Sequence, residues 1–485
     1  MTIDDLAGRL RAALDGKRVI TDRQELRTYE CDGLAHYKVT PALVAFPHTA
    51  EECASVVRAC VDAGVPYVAR GSGTGLSGGA LPRADGVLIV TSQMRTIREV
   101  APEDERAVVE PGVINLQVTN AASPFGYYYA PDPSSQQICS IGGNVAENSG
   151  GAHCLKYGFT TNHVTGAQIV APDGELVRLG GRAPDTPGYD LLGAFVGSEG
   201  TLGIATEVTV RLVRLPESVR TLLAAFESTD QAGAATSAII AAGVVPAAVE
   251  MMDVLAIEAA EAAVKCGYPR GAGAVLIVEL DGPAAEVEAQ FDQVRRLCDD
   301  NGAFELRIAA DDAERALFWK GRKSAFAAVG RISPDYIVQD GVIPRTALPE
   351  VLHRIGEVSA AHGVRVANVF HAGDGNLHPL VLFDDAVEGE AERAEEVSGA
   401  IIDLCIEYGG SITGEHGVGM DKARYMPRMF TDDDLDTMQL LRCAFDPDGL
   451  ANPGKIFPTP RLCGEVPGRH KGAHPLQEAG LAEVF

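Results

Sequence analysis

Two short glycine-flanked segments contain most of the residues in this chain that could perform chemistry. Residues 368–378 read Asn-Val-Phe-His-Ala-Gly-Asp-Gly-Asn-Leu-His, and residues 410–417 read Gly-Ser-Ile-Thr-Gly-Glu-His-Gly. The chemical groups they carry are His371, His378, Glu415 and His416. Two imidazoles and one carboxylate that converge would suit a divalent metal of borderline softness and leave coordination positions open for a substrate. The remaining imidazole adjoins the presumed carboxylate ligand and could act as a base.

The alternative is a pair of polar turns with hydrogen-bonded histidines, which is the usual interpretation of a single histidine in a loop. Four candidates among glycines, in a chain with 11 histidines in 485 residues, favour a metal site. The first segment has the pattern of a β-hairpin with a Gly-Asp-Gly-Asn turn. That pattern predicts His371 and His378 as near-opposite neighbours, with roughly 5 Å between their Cβ atoms. A metal alone does not define a reaction.

Composition and charge describe a globular protein and exclude several classes of function. Hydrophobic residues make up 46% of the chain, charged residues 22%, and the formal net charge is −26. A surface this acidic repels phosphate backbones and anionic lipid, so nucleic-acid binding is not expected. No stretch approaches the length of about 18 apolar residues that a membrane span needs, and the first residues lack the pattern of a signal peptide. The ten scattered cysteines lack a C-x-x-C pair, which favours a reducing cytoplasm and argues against an iron–sulfur cluster in this chain.

The N-terminal part has the order of an α/β domain. A helical lead-in covers residues 1–30, with apolar residues at helical spacing at Leu6, Leu10 and Leu14. A capping box at Thr49 and Glu52 opens a predicted helix that ends at Ala63. Predicted strands at 42–46 and 67–69 flank this helix, and the second strand leads into a glycine-rich loop.

That loop, residues 70–79, contains a G-x-G-x-x-G match. A dinucleotide-binding Rossmann turn would open a helix, whereas here Pro82 and a strand at 87–90 follow, so the context rejects that motif. The backbone N–H groups could still hold a pyrophosphate as an anion nest, and a flexible loop without a ligand is the alternative. Further glycine-rich stretches at 139–151 and 197–204 indicate three loops that approach one extended flat cofactor.

After Pro216 the composition changes to Ala-rich helices that alternate with strands. The predicted order is strand 222–226, helix 228–242, strands 247–251 and 274–280, helix 284–300 and strand 304–309. This βαββαβ order predicts a ferredoxin-like domain over an antiparallel sheet. The segment Phe318-Trp-Lys-Gly-Arg-Lys323 falls on a helix after it, and the two histidine-bearing segments come next.

With these motifs in order, the chain resembles the FAD-linked 2-hydroxy-acid dehydrogenases of the vanillyl-alcohol-oxidase-like superfamily. The branches it resembles most are the flavin subunits of bacterial glycolate oxidase and the D-lactate dehydrogenases. The resemblance covers roughly residues 20–458. It rests on RGSGTGLSGGA at 70–80, PDPSS at 131–135, CSIGGNVAENSGG at 139–151, GSEGTLGI at 197–204, FHAGDGNLH at 370–378, TGEHG at 413–417 and NPGKIFP at 452–458.

The resemblance implies an α+β fold in which a ferredoxin-like substrate (cap) domain covers the flavin of a two-subdomain FAD-binding domain. The chain then returns to the flavin near its C-terminus. The implied boundaries are a lead-in at 1–35, the FAD-binding domain at 36–215, the cap domain at 216–420, the return at 421–460 and a tail at 461–485.

The resemblance also implies roles for individual residues. Those near the FAD pyrophosphate would be Arg70, Gly71, Ser72, Gly73, Thr74, Gly75, Leu76 and Ser77. Those that line the flavin or stand close behind it would be Pro131, Ser140, Gly142, Gly143, Asn144, Asn148, Gly150, Gly151 and Asn452. The adenine–ribose side would meet Glu199, Gly200 and Ile204. A divalent metal, zinc or manganese, would bind His371, His378 and Glu415, with His416 as the base and Arg322 on the substrate carboxylate. Without the resemblance, Arg322 reads as a surface residue in a basic helical turn.

The implied reaction is oxidation of a short 2-hydroxy monocarboxylate, glycolate or D-lactate, to the 2-oxo acid by FAD. Relatives with covalent flavin commonly carry a His near the position of Thr74, so a noncovalent FAD is expected. Cys139 is a conceivable second attachment point, but a small buried thiol is the interpretation favoured there. Relatives that oxidise 2-hydroxyglutarate place polar groups around its second carboxylate, where this chain has Phe326, approximately Val338, and Leu380. An unpaired buried carboxylate is costly, so a diacid is disfavoured.

The partners and location implied by the resemblance are a separate electron-transfer subunit, iron–sulfur or flavoprotein, and a cytoplasmic protein that this partner could hold at the inner face of the membrane. A homodimer is equally compatible. Alternatives are a D-2-hydroxyglutarate-type dehydrogenase, a metal-dependent hydrolase that binds nucleotide in the glycine loops, and a redox-inactive assembly subunit. The four intact metal-site and base residues argue against the last.

Overall fold

A computed structural model describes residues 2–183 and 187–458, and the predicted tail at 461–485 lies outside them. The helices are α1 (Ile3–Ala13), α2 (Arg23–Leu26), α3 (Ala50–Ala63), α4 (Asn115–Ala122), α5 (Ile141–Glu147), α6 (Cys154–Tyr157), α7 (Leu191–Phe195), α8 (Thr229–Ala241), α9 (Val254–Val264), α10 (Ala284–Asp300), α11 (Asp312–Val329), α12 (Leu348–His362), α13 (Glu390–Glu407), α14 (Met426–Met429) and α15 (Asp432–Phe445). In these ranges, none of the helices combines the length and the hydropathy required to cross a membrane.

The strands are β1 (Val19–Ile20), β2 (Leu43–Ala45), β3 (Tyr67–Arg70), β4 (Val87–Val90), β5 (Ile97–Ala101), β6 (Arg106–Val109), β7 (Tyr127–Tyr128), β8 (Val164–Val170), β9 (Leu176–Gly180), β10 (Ile204–Arg211), β11 (Val213–Arg214), β12 (Ser218–Phe226), β13 (Ala248–Asp253), β14 (Ala274–Gly282), β15 (Glu305–Ile308), β16 (Asp335–Val338), β17 (Gly341–Val342), β18 (Val366–His371), β19 (Asn376–Leu377) and β20 (Pro379–Phe383). The mixture of helices and sheets agrees with the predicted α+β class.

The first sheet has the strand order β1-β2-β4-β3, with the last three parallel to one another. The predicted helix before β3 is present as α3: the Thr49 side chain accepts a hydrogen bond from the Glu52 N–H at 3.2 Å, and Gly64 ends the helix with a φ of +64°. The helix of the lead-in, α1, packs in the same core as α3. As predicted, β3 runs into the glycine loop and β4 follows it, without a helix between them.

The second sheet is antiparallel in the order β5-β6-β10-β8-β9. The interpretation of 139–151 as a loop is wrong in part, because residues 141–147 form α5. Ile141 and Val145 lie one helical turn apart and are fully buried in the core of this sheet. The Ile141 N–H donates to the Val113 carbonyl at 2.9 Å, so the helix start is hydrogen-bonded as well. This packing outweighs the poor helix propensity of two glycines.

The cap sheet contains the predicted βαββαβ order, with β15-β12-β14-β13 as neighbours and every pair antiparallel. One helix of this region was not predicted: α9 follows β13 directly, capped by Asp253, whose Oδ1 accepts from the Ala256 N–H at 3.0 Å. The sheet continues beyond the four strands, because β13 also pairs with β18. The cap is therefore larger than a ferredoxin-like unit.

The predicted hairpin is present, but its register differs from the expected one. His371 on β18 is the direct partner of Asn376 on β19, and Asn368 is the partner of Pro379 on β20. His378 is therefore the diagonal neighbour of His371, and the prediction of near-opposite histidines is wrong by two residues. A Gly at position 375 with a φ of +80° allows the tighter turn. The two rings still meet, because diagonal neighbours share one face of a sheet.

Candidate active site

Strand pairing brings both histidine-bearing segments to one region of the cap sheet. Glu250 on β13 is the direct partner of His371 on β18. Ser411 pairs with Val342 on β17, which holds the start of the second segment beside the hairpin. The backbone therefore determines where these side chains meet, and it brings Glu250 with them.

The three predicted metal ligands lie together with a spacing that fits a divalent metal. His371 Nε2 and His378 Nε2 each lie 3.3 Å from Glu415 Oε1. Ligand atoms at about 2.0–2.1 Å from a tetrahedral zinc ion are separated by about 3.3 Å. Glu415 Oε2 is buried and has no hydrogen-bond partner among the described residues. On the far side, Glu250 Oε1 lies 2.7 Å from His371 Nδ1 and fixes the orientation of that ring.

His416 stacks on His378, with ring centroids 4.9 Å apart and an interplanar angle of 7°. Its Nε2 lies 3.9 Å from Glu415 Oε1, and its Nδ1 lies 3.9 Å from Asp340 Oδ2. The imidazole therefore stands between the presumed metal ligands and a second carboxylate, that of Asp340. In this arrangement Nδ1 faces the carboxylate and Nε2 faces the site.

Asp340 is fully buried and holds the whole 413–417 turn. Its carboxylate accepts hydrogen bonds from the backbone N–H groups of Gly414 at 3.0 Å, Glu415 at 3.2 Å and His416 at 2.8 Å. It also accepts from the Thr413 hydroxyl, and Lys422 Nζ lies 3.2 Å away. Consecutive backbone N–H groups that converge on one carboxylate form a turn of fixed shape. The geometry of the presumed ligand and base therefore depends on this aspartate.

The residues of this cluster differ in protonation: His416 is neutral, whereas His371 and Glu415 are charged. Burial lowers the pKa of His416 to about 4, against the opposite effect of Asp340, so this imidazole is neutral near pH 7. Burial disfavours a charged His371, but Glu250 and Glu415 outweigh burial and raise the pKa of His371 well above its usual value. Burial opposes ionisation of Glu415, but His371 and the neighbouring imidazoles lower the pKa of this carboxyl to about 2. A bound cation would take the place of the proton that His371 carries in this cluster.

Arg322 is a fully buried residue of α11, so the interpretation as a surface residue is wrong. Its Nη2 lies 2.6 Å from Glu250 Oε2, on the carboxylate that also contacts His371. Its Nε has no acceptor among the described residues. The guanidinium carbon lies 5.7 Å from the ring centroid of Phe326, whose own centroid is 5.7 Å from that of His378. Glu250 thus links the guanidinium to His371 of the metal cluster, and Nε is the donor without an acceptor among the described residues.

A cavity of about 1260 Å³ extends from Glu415 and His416 along the glycine-rich segments. Its lining contains most of the predicted cofactor residues: Arg70, Gly71, Ser72, Gly73, Thr74, Gly75, Leu76, Ser140, Gly142, Gly143, Asn144, Glu199, Gly200 and Ile204. Gly73 has a φ of +71°, a conformation that favours glycine and exposes backbone N–H groups. A long cavity with a glycine-lined wall fits an extended cofactor that carries a diphosphate.

Six predicted cofactor residues are not among the described residues of this lining: Ser77, Pro131, Asn148, Gly150, Gly151 and Asn452. Asn452 is buried and holds the loops behind the cavity together, since its Nδ2 donates to the Gly79 carbonyl at 2.9 Å and the Glu199 carbonyl at 2.6 Å. Gly150 lies against the metal cluster: a Cβ there would be 2.8 Å from Glu415 Oε2. Predicted metal ligands and cofactor residues therefore touch at this glycine.

Sequence patterns did not predict Glu250, Asp340 or Lys422. A signal for Glu250 is present, because it is the charged residue within the apolar strand Ala-Ala-Val-Glu-Met-Met at 247–252. Asp340 lies two residues after the end of β16 and precedes a glycine, which is a weaker signal. Lys422 carries no local signal, since its partner lies 82 residues away in the chain.

Comparison with known proteins assigns the class. The FAD binding domain family matches residues 41–180, and the C-terminal domain family of FAD linked oxidases matches residues 215–456. Among solved structures, p-cresol methylhydroxylase aligns with a TM-score of 0.79 at 16% identity, over 93% of this chain and 96% of that chain. The 4-ethylphenol oxidase from Gulosibacter chungangensis aligns with a TM-score of 0.77 at 18% identity, over 94% and 97%. Fold and families together define an FAD-binding flavoprotein with the vanillyl-alcohol-oxidase fold.

Sequence relatives narrow the assignment. Glycolate oxidase subunit GlcD of Escherichia coli is 50% identical over 461 residues, which is 95% of this chain and 92% of the relative. The Bacillus subtilis subunit of the same name is 40% identical over 430 residues, 88% and 92% of the two chains. A D-lactate dehydrogenase of Anaerostipes hadrus is 32% identical over 450 residues, 91% and 94%. The chain belongs to the FAD-linked oxidase family and is an FAD-linked oxidoreductase.

Proposed function

We propose that this chain oxidises a short 2-hydroxy monocarboxylate, glycolate or D-lactate, to the 2-oxo acid with noncovalent FAD and a divalent metal. The observation that carries the proposal is the junction of the His371, His378 and Glu415 cluster with the glycine-lined cavity, beside a neutral His416. The names of the relatives, a glycolate oxidase subunit and a D-lactate dehydrogenase, support the substrate class.

The hydroxyl proton of the substrate goes to His416. This imidazole is neutral near pH 7 because burial lowers its pKa to about 4, so a lone pair is available. Asp340, 3.9 Å from Nδ1, favours the tautomer in which Nε2 carries that lone pair and stabilises the imidazolium that forms. When bound, FAD supplies the acceptor for the C2 hydride and the metal lowers the pKa of the substrate hydroxyl.

The substrate carboxylate is assigned to Arg322. The guanidinium is oriented by Glu250 at 2.6 Å and retains a free Nε donor among the described contacts. A carboxylate bound there fixes the orientation of C2 relative to the base, and orientation of reacting groups accounts for a large part of enzymatic rate enhancement. Because Glu250 contacts both Arg322 and His371, substrate binding and metal ligation share one support.

The size of the substrate is limited by apolar side chains at the cavity. Phe326 and Val338 line it. Leu380 pairs with Val338 in the sheet, but it is fully buried in the core and is not among the described lining residues. The preference for a monocarboxylate therefore rests on Phe326 and Val338, which offer a second carboxylate no partner. Glycolate and D-lactate differ by one methyl group, for which discrimination of only about 1–3 kcal/mol is expected.

Membership in the FAD-linked oxidase family argues against the metal-dependent hydrolase. The FAD is proposed to be noncovalent, because the cavity loop carries Thr74 in place of a histidine. Cys139 also lines the cavity, but burial raises the pKa of its thiol, which disfavours the nucleophilic thiolate, and its Sγ lies 3.5 Å from Asn144 Nδ2. Since the most similar relatives quoted are named as subunits, a separate electron-transfer partner is proposed as the electron acceptor. Cytoplasmic location, with attachment to the membrane through that partner, is part of the same proposal.

The test is a substrate panel with an artificial dye acceptor. We expect kcat/KM to be highest for glycolate or D-lactate, with these two close together, and to be far lower for L-lactate and D-2-hydroxyglutarate. His416→Ala serves as the inactive control, with FAD content measured by absorbance. A preference for the diacid would contradict the role given to Phe326 and Val338, and absence of flavin reduction by every 2-hydroxy acid would contradict the proposed reaction.

A further inference from the structure

Two carboxyl groups, those of the buried Glu199 and the half-buried Glu147, lie together behind the glycine loop, apart from the metal cluster. A Cβ built on Gly79 of the glycine loop would lie 2.5 Å from Glu147 Oε1 and 3.4 Å from Glu199 Oε2. A Cβ built on Gly417, next to the base, would meet the same two carboxyl groups, with Glu199 Oε1 at 3.0 Å. The pair therefore lies between the glycine loop and the turn that carries the base, and both carboxyl groups also line the cavity.

Glu199 uses both of its oxygens on the two residues that directly follow the 413–417 turn. Its Oε1 accepts from the Val418 N–H and its Oε2 accepts from the Gly419 N–H, each at 2.7 Å. Hydrogen bonds to an ionised acceptor are about twice as strong as neutral ones. A second link runs beside them, since the Ser77 carbonyl accepts from the Met420 N–H at 3.0 Å. The segment that follows His416 is thus fastened to the wall of the cavity.

Glu147 differs from Glu199 in its hydrogen bonding and in its pKa. Its contact with the Ser77 hydroxyl is long, at 3.5 Å, and two adjacent carboxyl groups cannot both be ionised at low cost. Burial and then Glu199 raise the pKa of Glu147 well above its usual value. Burial also raises the pKa of Glu199, to about 7, against the opposing effect of the two N–H groups that bind it. The other charged groups near the pair are Asp32, Lys422 and Lys455. Because Glu199 accepts backbone hydrogen bonds with both oxygens, Glu147 is the member of the pair that holds a proton more tightly.

We propose that Glu199 is a positioning residue that couples the FAD cavity to the segment 413–419, with the Glu147 carboxyl group beside it. This inference rests on the proposed role of Glu415 and His416, which are two to four residues from the N–H groups that Glu199 binds. When FAD occupies the cavity, the glycine loop becomes ordered and holds Glu199 in place. Glu199 in turn fixes the segment that carries Glu415 and His416. Loss of the link leaves FAD bound and the base misplaced.

The test compares hydrogen–deuterium exchange in the 413–421 segment with flavin reduction in the FAD-loaded protein. Glu199→Gln replaces one carboxylate oxygen by an NH₂ group. One of the N–H groups of Val418 and Gly419 then loses its acceptor and faces another donor. We expect protection of this segment to fall about tenfold or more and flavin reduction to slow by a similar factor, while FAD content stays near that of the wild type. Glu110→Gln is the matched control, since Glu110 is a buried carboxylate that accepts from the Thr96 N–H at 2.8 Å in the sheet of β5 and β6.

Glu199→Asp, whose carboxylate is one methylene shorter, gives a second variant if the first does not fold. In wild-type protein, removal of FAD should raise exchange in 413–421 more than in α10. Glu147→Gln, which imitates a protonated acid, should retain protection at alkaline pH where the wild type loses it. Equal exchange in Glu199→Gln and wild type would overturn the proposal, and so would exchange independent of FAD. Exchange does not require turnover, so failure of the proposed reaction would be recognised separately.

Discussion

Replacement of Asp340 by Asn should show how far the 413–417 turn depends on this carboxylate for its stability and geometry. The carboxylate binds three consecutive backbone N–H groups, the Thr413 hydroxyl and Lys422 Nζ at 3.2 Å, all in a fully buried place. Asparagine keeps the volume but offers one acceptor oxygen, and its NH₂ group faces N–H donors. The change therefore removes acceptors and charge without creating a cavity.

The expected decrease in the free energy of unfolding has two sources, a lost hydrogen bond and a broken ion pair. A hydrogen bond to a charged acceptor contributes about 1.5–3 kcal/mol, and at least one such bond to the turn is lost. Lys422, 1% exposed, is left without its counter-charge, and breaking a buried ion pair from one side costs about 3–5 kcal/mol. The two losses overlap, because both arise from one carboxylate. We expect the free energy of unfolding to fall by about 3–5 kcal/mol in total.

Urea unfolding followed by stopped-flow flavin reduction measures both effects. His416 should remain neutral in Asp340→Asn, since the carboxylate removed is one that raises its pKa. Slower flavin reduction would therefore report a displaced base together with loss of the carboxylate that stabilises the imidazolium. Adding Lys422→Met should restore most of the stability but not the rate. Asp446→Asn, at a buried aspartate that accepts from the Ala451 N–H at 2.8 Å, is the control for loss of stability alone. Stability and flavin reduction both close to wild type in Asp340→Asn would refute this account of the turn.

Three further predictions concern the metal, the flavin and pH. Chelation of the metal, or Glu415→Ala, should abolish flavin reduction while FAD remains bound, and undiminished reduction after verified metal removal would contradict the metal role. Acid precipitation should release all FAD into the supernatant, because no histidine is available in the loop at Thr74; flavin in the pellet would contradict a noncovalent cofactor. Burial opposes the charge of His153, but Asp132, 2.9 Å away, and Glu279 raise its pKa to about 10. This raised pKa contributes stability that is complete below about pH 6.5 and is lost as pH rises towards 10, so urea midpoints of His153→Gln and wild type should converge at alkaline pH.

The motifs that contain the candidate binding and reactive residues were predictable because their residues are close together in the chain. The glycine loop without a following helix, the cap of α3 and the grouping of three metal ligands with a base all follow from local patterns. The metal and catalytic roles themselves stay proposals. The register of the hairpin was predicted wrongly because the turn signal fixes where a hairpin bends only within a residue or two, and pairing with β13 sets the rest.

What the sequence did not predict depends on contacts between distant segments. Residues 141–147 were read as a loop because two glycines dominate the local pattern, whereas burial of Ile141 and Val145 determines a helix. The supports Glu250 and Asp340 lie 121 and 38 residues from the histidines they contact. A single chain without an alignment carries no signal for such pairs beyond a charged residue in an apolar strand.

The site combines several buried carboxylates with a substrate that is itself an anion, and the contacts explain how both are accommodated. Glu250 is engaged by Arg322 and His371, Asp340 by Lys422 and the turn, so neither presents free negative charge to the cavity. Glu415 differs, since its Oε2 has no hydrogen-bond partner among the described residues. The carboxylate left available is therefore the one proposed to bind the cation. In the proposed site an anionic substrate would meet a cation and a guanidinium, and the buried acids would hold both in place.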